Sequence, residues 1–290
     1  KECQLIVFVG AVGIAVRTIA PYIKNKLVDP AVLSVDEGGN FVIPLLSGHI
    51  GGANGFAKVL AKVIKATPVV TTATDVNKLF AVDEWAARNN MIINSMKAAK
   101  DFAAALVDGQ EVGLFTDYPI ISALPRQIVL KDKGVTGLAI TKNRNVNPFD
   151  LTVQLWPRNI YLGIGCRRGT TLESIETLVL PKLKELGIDL RTIVGVASVD
   201  LKKDEAGLLN FAAKYNWEIS FFTAEELQHA AGEFSSSDFV KSVVGVSNVC
   251  ERSAVLAANN GSIISSKCSL NGVTLAVAEA DIVLDFEKLS

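Results

Sequence analysis

Histidine, methionine and closely spaced cysteines are what this 290-residue chain has least of. It holds two histidines, His49 and His229, two methionines, and four cysteines, Cys3, Cys166, Cys250 and Cys268, with no CxxC spacing. Such a ligand set excludes a zinc site of ordinary pattern, and no metal site is expected. Reduced thiols of this kind suit a cytoplasmic protein. Charge excess is missing too: 29 Lys+Arg against 30 Asp+Glu leave a formal net charge of −1, so there is no basic surplus for a nucleic-acid partner. Any acidic ligand must be met by a local cluster. The longest apolar run, Leu5 to Val16, stops at Arg17, short of the roughly 20 residues of a membrane span, so no membrane partner is expected. No signal peptide is visible, and a start at Lys1 that runs directly into a strand-like segment predicts residues upstream. What the chain does have is apolar bulk. With 49% hydrophobic and 20% charged residues it is not disordered, and its length fits two compact units, or three small ones.

The first 75 residues alternate strand and helix signals, predicting a parallel sheet with crossover helices. Gln4 to Val9 reads as a continuous apolar strand. Gly10 and Gly13 then open a helix carrying Arg17, Ile19 and Tyr22, and Ala31 to Val35 with Phe41 to Leu46 flank Glu37-Gly38-Gly39-Asn40 as a hairpin. Ser47-Gly48-His49-Ile50-Gly51-Gly52-Ala53-Asn54 leads into a helix whose apolar face reads Phe56, Leu60, Val63 and Ile64. Pro68-Val69-Val70 returns as a buried strand ending in Thr71-Thr72-Ala73-Thr74-Asp75. From Val76 to Pro157, two helices holding Trp85 and Phe102 precede short strands near Val112–Phe115, Ile128–Leu130, Leu138–Ile140 and Leu151–Leu155. A boundary falls near Pro157 and Arg158. Beyond it, strands at Ile160–Ile164, Ile193–Ser198, Ile219–Phe222, Ser262–Ser266 and Val273–Ala278 alternate with helices. The expected fold class is α/β: two small α/β domains with mainly parallel sheets, residues 1–75 and 158–290, flanking a smaller α+β middle domain, 76–157. No internal repeat or low-complexity tract is present.

Two glycine-rich turns draw the chemistry. Gly163-Ile164-Gly165-Cys166-Arg167-Arg168-Gly169 runs from strand to helix, with Thr170 as the expected helix cap and Glu173 reaching back. Backbone N–H groups, the helix end and the two arginines there read as an anion cradle. The spacing, GxGxxxG, is not the dinucleotide fingerprint, and no GxxxxGK[ST] is present. An ordinary glycine turn at a helix start accounts for the string as well. In the other turn His49 stands among glycines, where an imidazole can take a proton from water and neighbouring N–H groups can hold an oxyanion; helix capping is the plainer alternative. His229 reads as a solvated helix residue.

Thr71, Thr72, Thr74 and Asp75 sit at a strand's carboxyl end, where α/β sheets place ligands, although capping explains Thr74 or Asp75 equally well. Asp83 and Glu84 read as a solvated helix face. Asp200, Lys203 and Glu205 follow a strand and are candidates for the crevice beside Gly165, though such a charge run also suits plain surface. Glu251 and Arg252 interrupt a small apolar helix, and Lys267 ends a strand.

Together these segments resemble the CbiG family of anaerobic cobalamin biosynthesis, the cobalt-precorrin-5A hydrolases. The resemblance runs through Gly13-Ile14-Ala15-Val16-Arg17 with Ile19-Ala20-Pro21, Lys26-Leu27-Val28-Asp29-Pro30-Ala31-Val32, Leu46 to Asn54, and Thr71 to Asp75. It continues in Gly163 to Gly169, Ala197-Ser198-Val199-Asp200 with Lys203-Asp204-Glu205, and Val249-Cys250-Glu251. The middle domain matches mainly by position, and family members begin some tens of residues earlier. The resemblance implies that water opens the δ-lactone of cobalt-precorrin-5A and that acetaldehyde leaves, giving cobalt-precorrin-5B. It implies no protein-bound cofactor, because cobalt arrives in the substrate, and a cobalt-corrinoid as partner, with other cobalamin-pathway enzymes as further candidates.

His49 is then the candidate water-activating base, with the Gly51 and Gly52 amides as oxyanion site and Asp75 as its orienting carboxylate. The expected substrate-binding set is Arg17, Ser47, Gly51, Gly52, Asn54, Thr71, Thr72, Gly165, Cys166, Arg167, Arg168, Asp200, Lys203, Glu251 and Lys267. The last domain resembles a small protein found alone in the aerobic pathway, which implies hydrolysis in the first domain and corrinoid recognition in the last. Asp200, Glu205 and Glu251 stand as rival bases, Glu205 foremost. A non-catalytic corrinoid carrier and a nucleotide phosphate site are the competing functions.

Overall fold

A computed structural model describes residues 3–25, 28–49, 51–77, 79–232, 234 and 248–287. Lys26, Leu27 and Ile50 of the motifs above lie outside the described residues. Two compact units emerge, Lys1–Trp156 together with the chain from Leu284 onward, and Pro157–Val283.

The first unit opens with a four-stranded sheet in the order β1-β2-β3-β4. Strand β1 (Leu5–Val9) runs parallel to β2 (Ala31–Val35), which forms a hairpin with β3 (Phe41–Leu46), and β3 runs parallel to β4 (Thr67–Pro68). The hairpin is held by Asp36, whose Oδ1 accepts the N–H groups of Asn40 at 2.7 Å and Phe41 at 2.6 Å. Helix α1 (Val12–Ile19) follows β1, and α2 (Ala53–Ile64) follows β3. The face of α2 differs from the expected one. Ala53, Ala57 and Ala61 are buried against Leu33, Val35 and Val42, whereas Phe56, Val63 and Ile64 are exposed and only Leu60 stays half-buried. Small side chains let the helix lie close on the sheet, so its phase follows alanine rather than bulk. Strand β4 is also shorter than expected, two exposed residues with Val69 and Val70 half-buried beyond it. Its ladder to β3 stops at Val42, ahead of Pro44, which has no N–H to continue it.

After the short helix α3 (Ala73–Val76), the middle segment supplies α4 (Val82–Arg88), β5 (Met91–Ile93) and α5 (Met96–Val107), then β6 (Val112–Thr116), β7 (Ile128–Leu130), β8 (Gly134–Ile140) and β9 (Phe149–Pro157). The sheet order is β5-β9-β8-β6-β7, with parallel pairs β6·β7, β6·β8 and β8·β9. Ser95 caps α5 by accepting the Ala98 N–H. The Phe149 ring lies over Gly113 and Gly137, where an added Cβ would come within 2.2 and 2.5 Å of it. The chain's end returns to α4: the Trp85 indole donates to Asp285 O at 2.9 Å, and the Phe286 ring stacks on Trp85 with centroids 4.6 Å apart.

In the second unit β10 (Ile160–Cys166), β11 (Ile193–Val199) and β12 (Glu218–Phe222) are parallel, while β13 (Ser262–Leu270) and β14 (Val273–Glu279) pair antiparallel, in the order β12-β11-β10-β14-β13. Helices α6 (Leu172–Glu185) and α7 (Ala206–Lys214) share an apolar core with the sheet through Ile175, Val179, Leu208 and Phe211. A five-residue helix, α8 (Ala224–Gln228), follows β12. Helix α9 (Val249–Ala257) crosses β10 so closely at Gly163 that a Cβ there would come within 1.8 Å of the Cys250 carbonyl oxygen. Among the described residues no helix is long and apolar enough to cross a membrane.

Candidate functional site

The loop from Ser47 to Asn54 coils onto the start of α2. Ser47 is buried at φ +56° and donates through Oγ to Asp29 O at 3.0 Å. The Ala53 and Asn54 amides donate back to Ser47 O at 3.1 Å and Gly48 O at 2.9 Å, and the Gly52 amide donates to His49 O at 2.9 Å. That last bond corrects the expected oxyanion pair. The Gly52 amide is consumed in closing the turn, with Gly52 itself at φ +79°. The Gly51 N–H has no acceptor among the described residues. Only glycine fits at 51, since a Cβ would come within 2.4 Å of the Ser47 Cβ.

Asn54, buried at the first turn of α2, ties the loop to the segment after β4. Its Nδ2 donates to Thr72 Oγ1 at 3.2 Å and Asp75 Oδ2 at 2.9 Å, Thr72 Oγ1 donates to the same Asp75 oxygen at 2.7 Å, and Lys58 Nζ donates to Asp75 Oδ1 at 2.8 Å. Burial pushes the Asp75 carboxyl up, but Lys58, Thr72 and Asn54 together outweigh it and hold the group below the usual carboxylate range. Both Asp75 oxygens are therefore engaged, and Asp75 is not the carboxylate that touches His49. Glu84 is: its Oε2 lies 3.5 Å from His49 Nδ1, and its other oxygen takes the Arg88 guanidinium one turn along α4.

The Glu84 contact raises the His49 pKa above its ordinary value, burial opposes this, and the charges of Asp83, Glu84 and Asp75 add to the rise. Reciprocally, His49 lowers the Glu84 carboxyl against the opposing effect of burial, with Arg88 assisting. Glu84 also lines a cavity of about 310 Å³ with Phe80, Trp85, Leu124 and Phe286. In the sequence Glu84 reads as part of a solvated helix face, since an acidic first turn is common and nothing in its spacing reveals a tertiary contact with His49. Arg17 and Thr71 are exposed.

In the second unit the anion-cradle reading is corrected. The Gly169 amide donates to Glu205 Oε1 at 2.8 Å, so the chain's own carboxylate occupies it, with Lys202 Nζ 3.4 Å from Glu205 Oε2. Arg168 pairs with the exposed Asp204 at 2.7 Å. The cap of α6 is Thr171, accepting from Ser174 N, while the expected cap, Thr170, donates to Arg167 O instead. Arg167 is exposed and lies over Gly272. A Cβ on Gly165 would come within 2.6 Å of Thr274 Oγ1, so this glycine serves close packing. Burial pushes the Cys166 thiol up.

Asp200 opens a single 3₁₀ turn after β11, and Lys203 is exposed beyond it. Glu251 is buried in α9 and accepts the Lys267 backbone N–H at 2.7 Å, a bond that ties α9 to β13. Glu205 and Glu251 are thus both buried and committed to backbone N–H groups, which suits holding the fold rather than moving protons. Among the described residues no group of His, Cys, Asp and Glu is arranged to hold a metal ion.

A mixed sheet thus carries a histidine at its β3-to-α2 turn with the Glu84 carboxylate of α4 3.5 Å away, a pairing suited to acid–base chemistry on a small molecule. Comparison with known proteins narrows the class. The family descriptions Cobalamin synthesis G N-terminal, Cobalamin biosynthesis central region and Cobalamin synthesis G C-terminus match residues 1–75, 80–157 and 160–278 in turn. The cobalt-precorrin-5A hydrolase of Salmonella typhimurium is 36% identical over 288 residues, covering 95% of this chain and 82% of the relative. That of Priestia megaterium is 31% identical over 291 residues, covering 94% and 78%. Protein CobE of a Sinorhizobium species is 26% identical over 130 residues, 44% of this chain and 84% of that protein. The chain belongs to the CbiG family.

Proposed function

We propose that this protein is a cobalt-precorrin-5A hydrolase, opening the δ-lactone of its substrate and releasing acetaldehyde to leave cobalt-precorrin-5B. The observation that carries the reading is kinship with relatives of that name along nearly the whole chain, the His49 loop included. His49, as imidazole, takes a proton from water as the water oxygen bonds to the lactone carbonyl carbon. The oxyanion that forms faces the Gly51 N–H, the amide the loop leaves undonated. Breaking the acyl C–O bond expels an alkoxide, whose collapse to acetaldehyde breaks a carbon–carbon bond and returns the electron pair to the conjugated macrocycle. This makes the protein a hydrolase of a carbon–carbon bond. The macrocycle is its own electron sink and cobalt is part of the substrate, so the reaction asks no cofactor of the protein.

The three segments 1–75, 76–157 and 158–290 divide the work on this reading. The first carries the hydrolytic group, and the last offers Arg167, Lys203 and Lys267 to corrinoid carboxylates, as charge-assisted contacts that bind without reacting. His49→Ala tests it: turnover is lost while corrinoid affinity, read from the visible absorbance shift, stays within a few-fold. Unchanged turnover removes His49 from the mechanism, and binding without turnover in the unaltered protein leaves the carrier reading in its place.

A further inference from the structure

The established kinship assigns no role to the middle segment, yet that segment supplies the carboxylate nearest His49. We propose that Glu84 is the positioning residue of His49: its carboxylate faces Nδ1 across an ion-pair contact, favours the proton on that nitrogen and so completes from α4 a dyad begun in the α2 loop. This rests on the hydrolase reading above and deepens it.

The geometry carries the assignment. The His49 Nδ1 to Glu84 Oε2 separation is 3.5 Å, an ion-pair contact longer than a hydrogen bond, and both side chains are less than one-fifth exposed, at 19% and 18%. Glu84 is held from behind, because its second oxygen is engaged by Arg88 on the same helix. Helix α4 is itself fixed: Trp85, next in sequence, donates to Asp285 O and stacks on Phe286. Carboxylate, arginine and helix therefore present one oxygen to the imidazole with little freedom to swing. A carboxylate held in ion-pair contact with one ring nitrogen favours the proton on that nitrogen and orients the ring by charge. The remaining charged groups around the pair are Asp83 on α4 and Asp75 on α3, the latter paired with Lys58 of α2. Asp75 has spent both oxygens on Asn54, Thr72 and Lys58, so it acts on His49 by charge alone. The rise in the His49 pKa, with the Glu84 contact as its largest cause, agrees with this arrangement.

The test uses the full chain and the Glu84→Gln variant, which keeps shape and removes charge. With two histidines in the chain, the imidazole titration of His49 is read directly by NMR, and His229→Gln assigns the signals. The expected result is a fall of roughly one unit in the His49 midpoint for Glu84→Gln, from loss of an opposite charge in contact. Turnover falls about 10²-fold with KM little changed, and the acid limb of kcat/KM moves to lower pH. A merely structural Glu84 moves neither midpoint nor limb. An unmoved His49 midpoint overturns the proposal whether or not the variant is active, as does a moved midpoint accompanied by unchanged kcat. Absence of turnover in the unaltered protein defeats the hydrolase reading instead, and the His49 titration still decides the pairing.

Discussion

The Glu205 carboxylate accepts the Gly169 amide at 2.8 Å, across the gap between the turn after β10 and the start of α7. Helix α7 comes so close there that a Cβ on Gly207 would lie 1.9 Å from the Thr170 carbonyl oxygen. The turn that reads as a phosphate cradle is thus closed from within by an acidic side chain. An incoming phosphate meets a buried negative charge rather than a free amide, so nucleotides at millimolar concentration are expected to leave the melting temperature unchanged. A rise of several degrees with ATP or GTP counts against this reading of the turn.

Glu205 is accordingly expected to matter for stability before activity. Glu205→Ala leaves the Gly169 N–H and the Lys202 ammonium without their partner and costs about 1–3 kcal/mol in chemical denaturation. Glu205→Gln, which keeps an acceptor oxygen, costs less. Turnover per folded molecule stays near that of the unaltered protein, and its loss at full stability would restore Glu205 as a candidate base.

Asn54 is the knot of the first unit's site, since one buried amide joins the His49 loop to Thr72 and Asp75. Asn54→Ala is expected to lower stability by about 1–3 kcal/mol and to weaken turnover by releasing the loop. The Asp75 carboxyl sits below its unfolded value, so its contribution is full above the ordinary Asp range and is lost as pH falls through the folded pKa. The stability gap between the unaltered protein and Asp75→Asn should therefore narrow on acidification. Denaturation midpoints at pH 7 and pH 3.5 measure it, and a gap that widens toward acid contradicts the assignment.

For His49 the sign is opposite. Its folded pKa is raised, so the stabilisation is fully present below the unfolded value near 6.5 and fades as pH rises through the folded value. His49→Gln should cost more stability at pH 5.5 than at pH 9. Equal cost at both values means that the Glu84 pair contributes nothing to folding.

Much of this architecture is legible from local signals. Continuous apolar runs mark β1, β2, β10 and β11, Glu37-Gly38-Gly39-Asn40 marks the hairpin, and the four expected strands of the middle segment are present. What escapes the sequence is tertiary. The three-residue strand β5 is too short to show a period. The buried face of α2 is chosen by alanines that pack closely, which a search for bulky apolar residues passes over. In the site, the glycine-rich loop singles out His49. Its carboxylate is hidden because Glu84 and Asp75 are both acidic helix residues, and only the positions of Lys58, Thr72 and Asn54 decide which is left to face the imidazole.

The most direct measurement is acetaldehyde released when the protein is incubated anaerobically with cobalt-precorrin-5A, set against a boiled-protein control and against His49→Ala. Hydrolysis at the His49 loop predicts release above control, one equivalent per substrate consumed, and none from the variant. Release by the variant at the rate of the unaltered protein, or a corrinoid absorbance shift with no acetaldehyde, would contradict it.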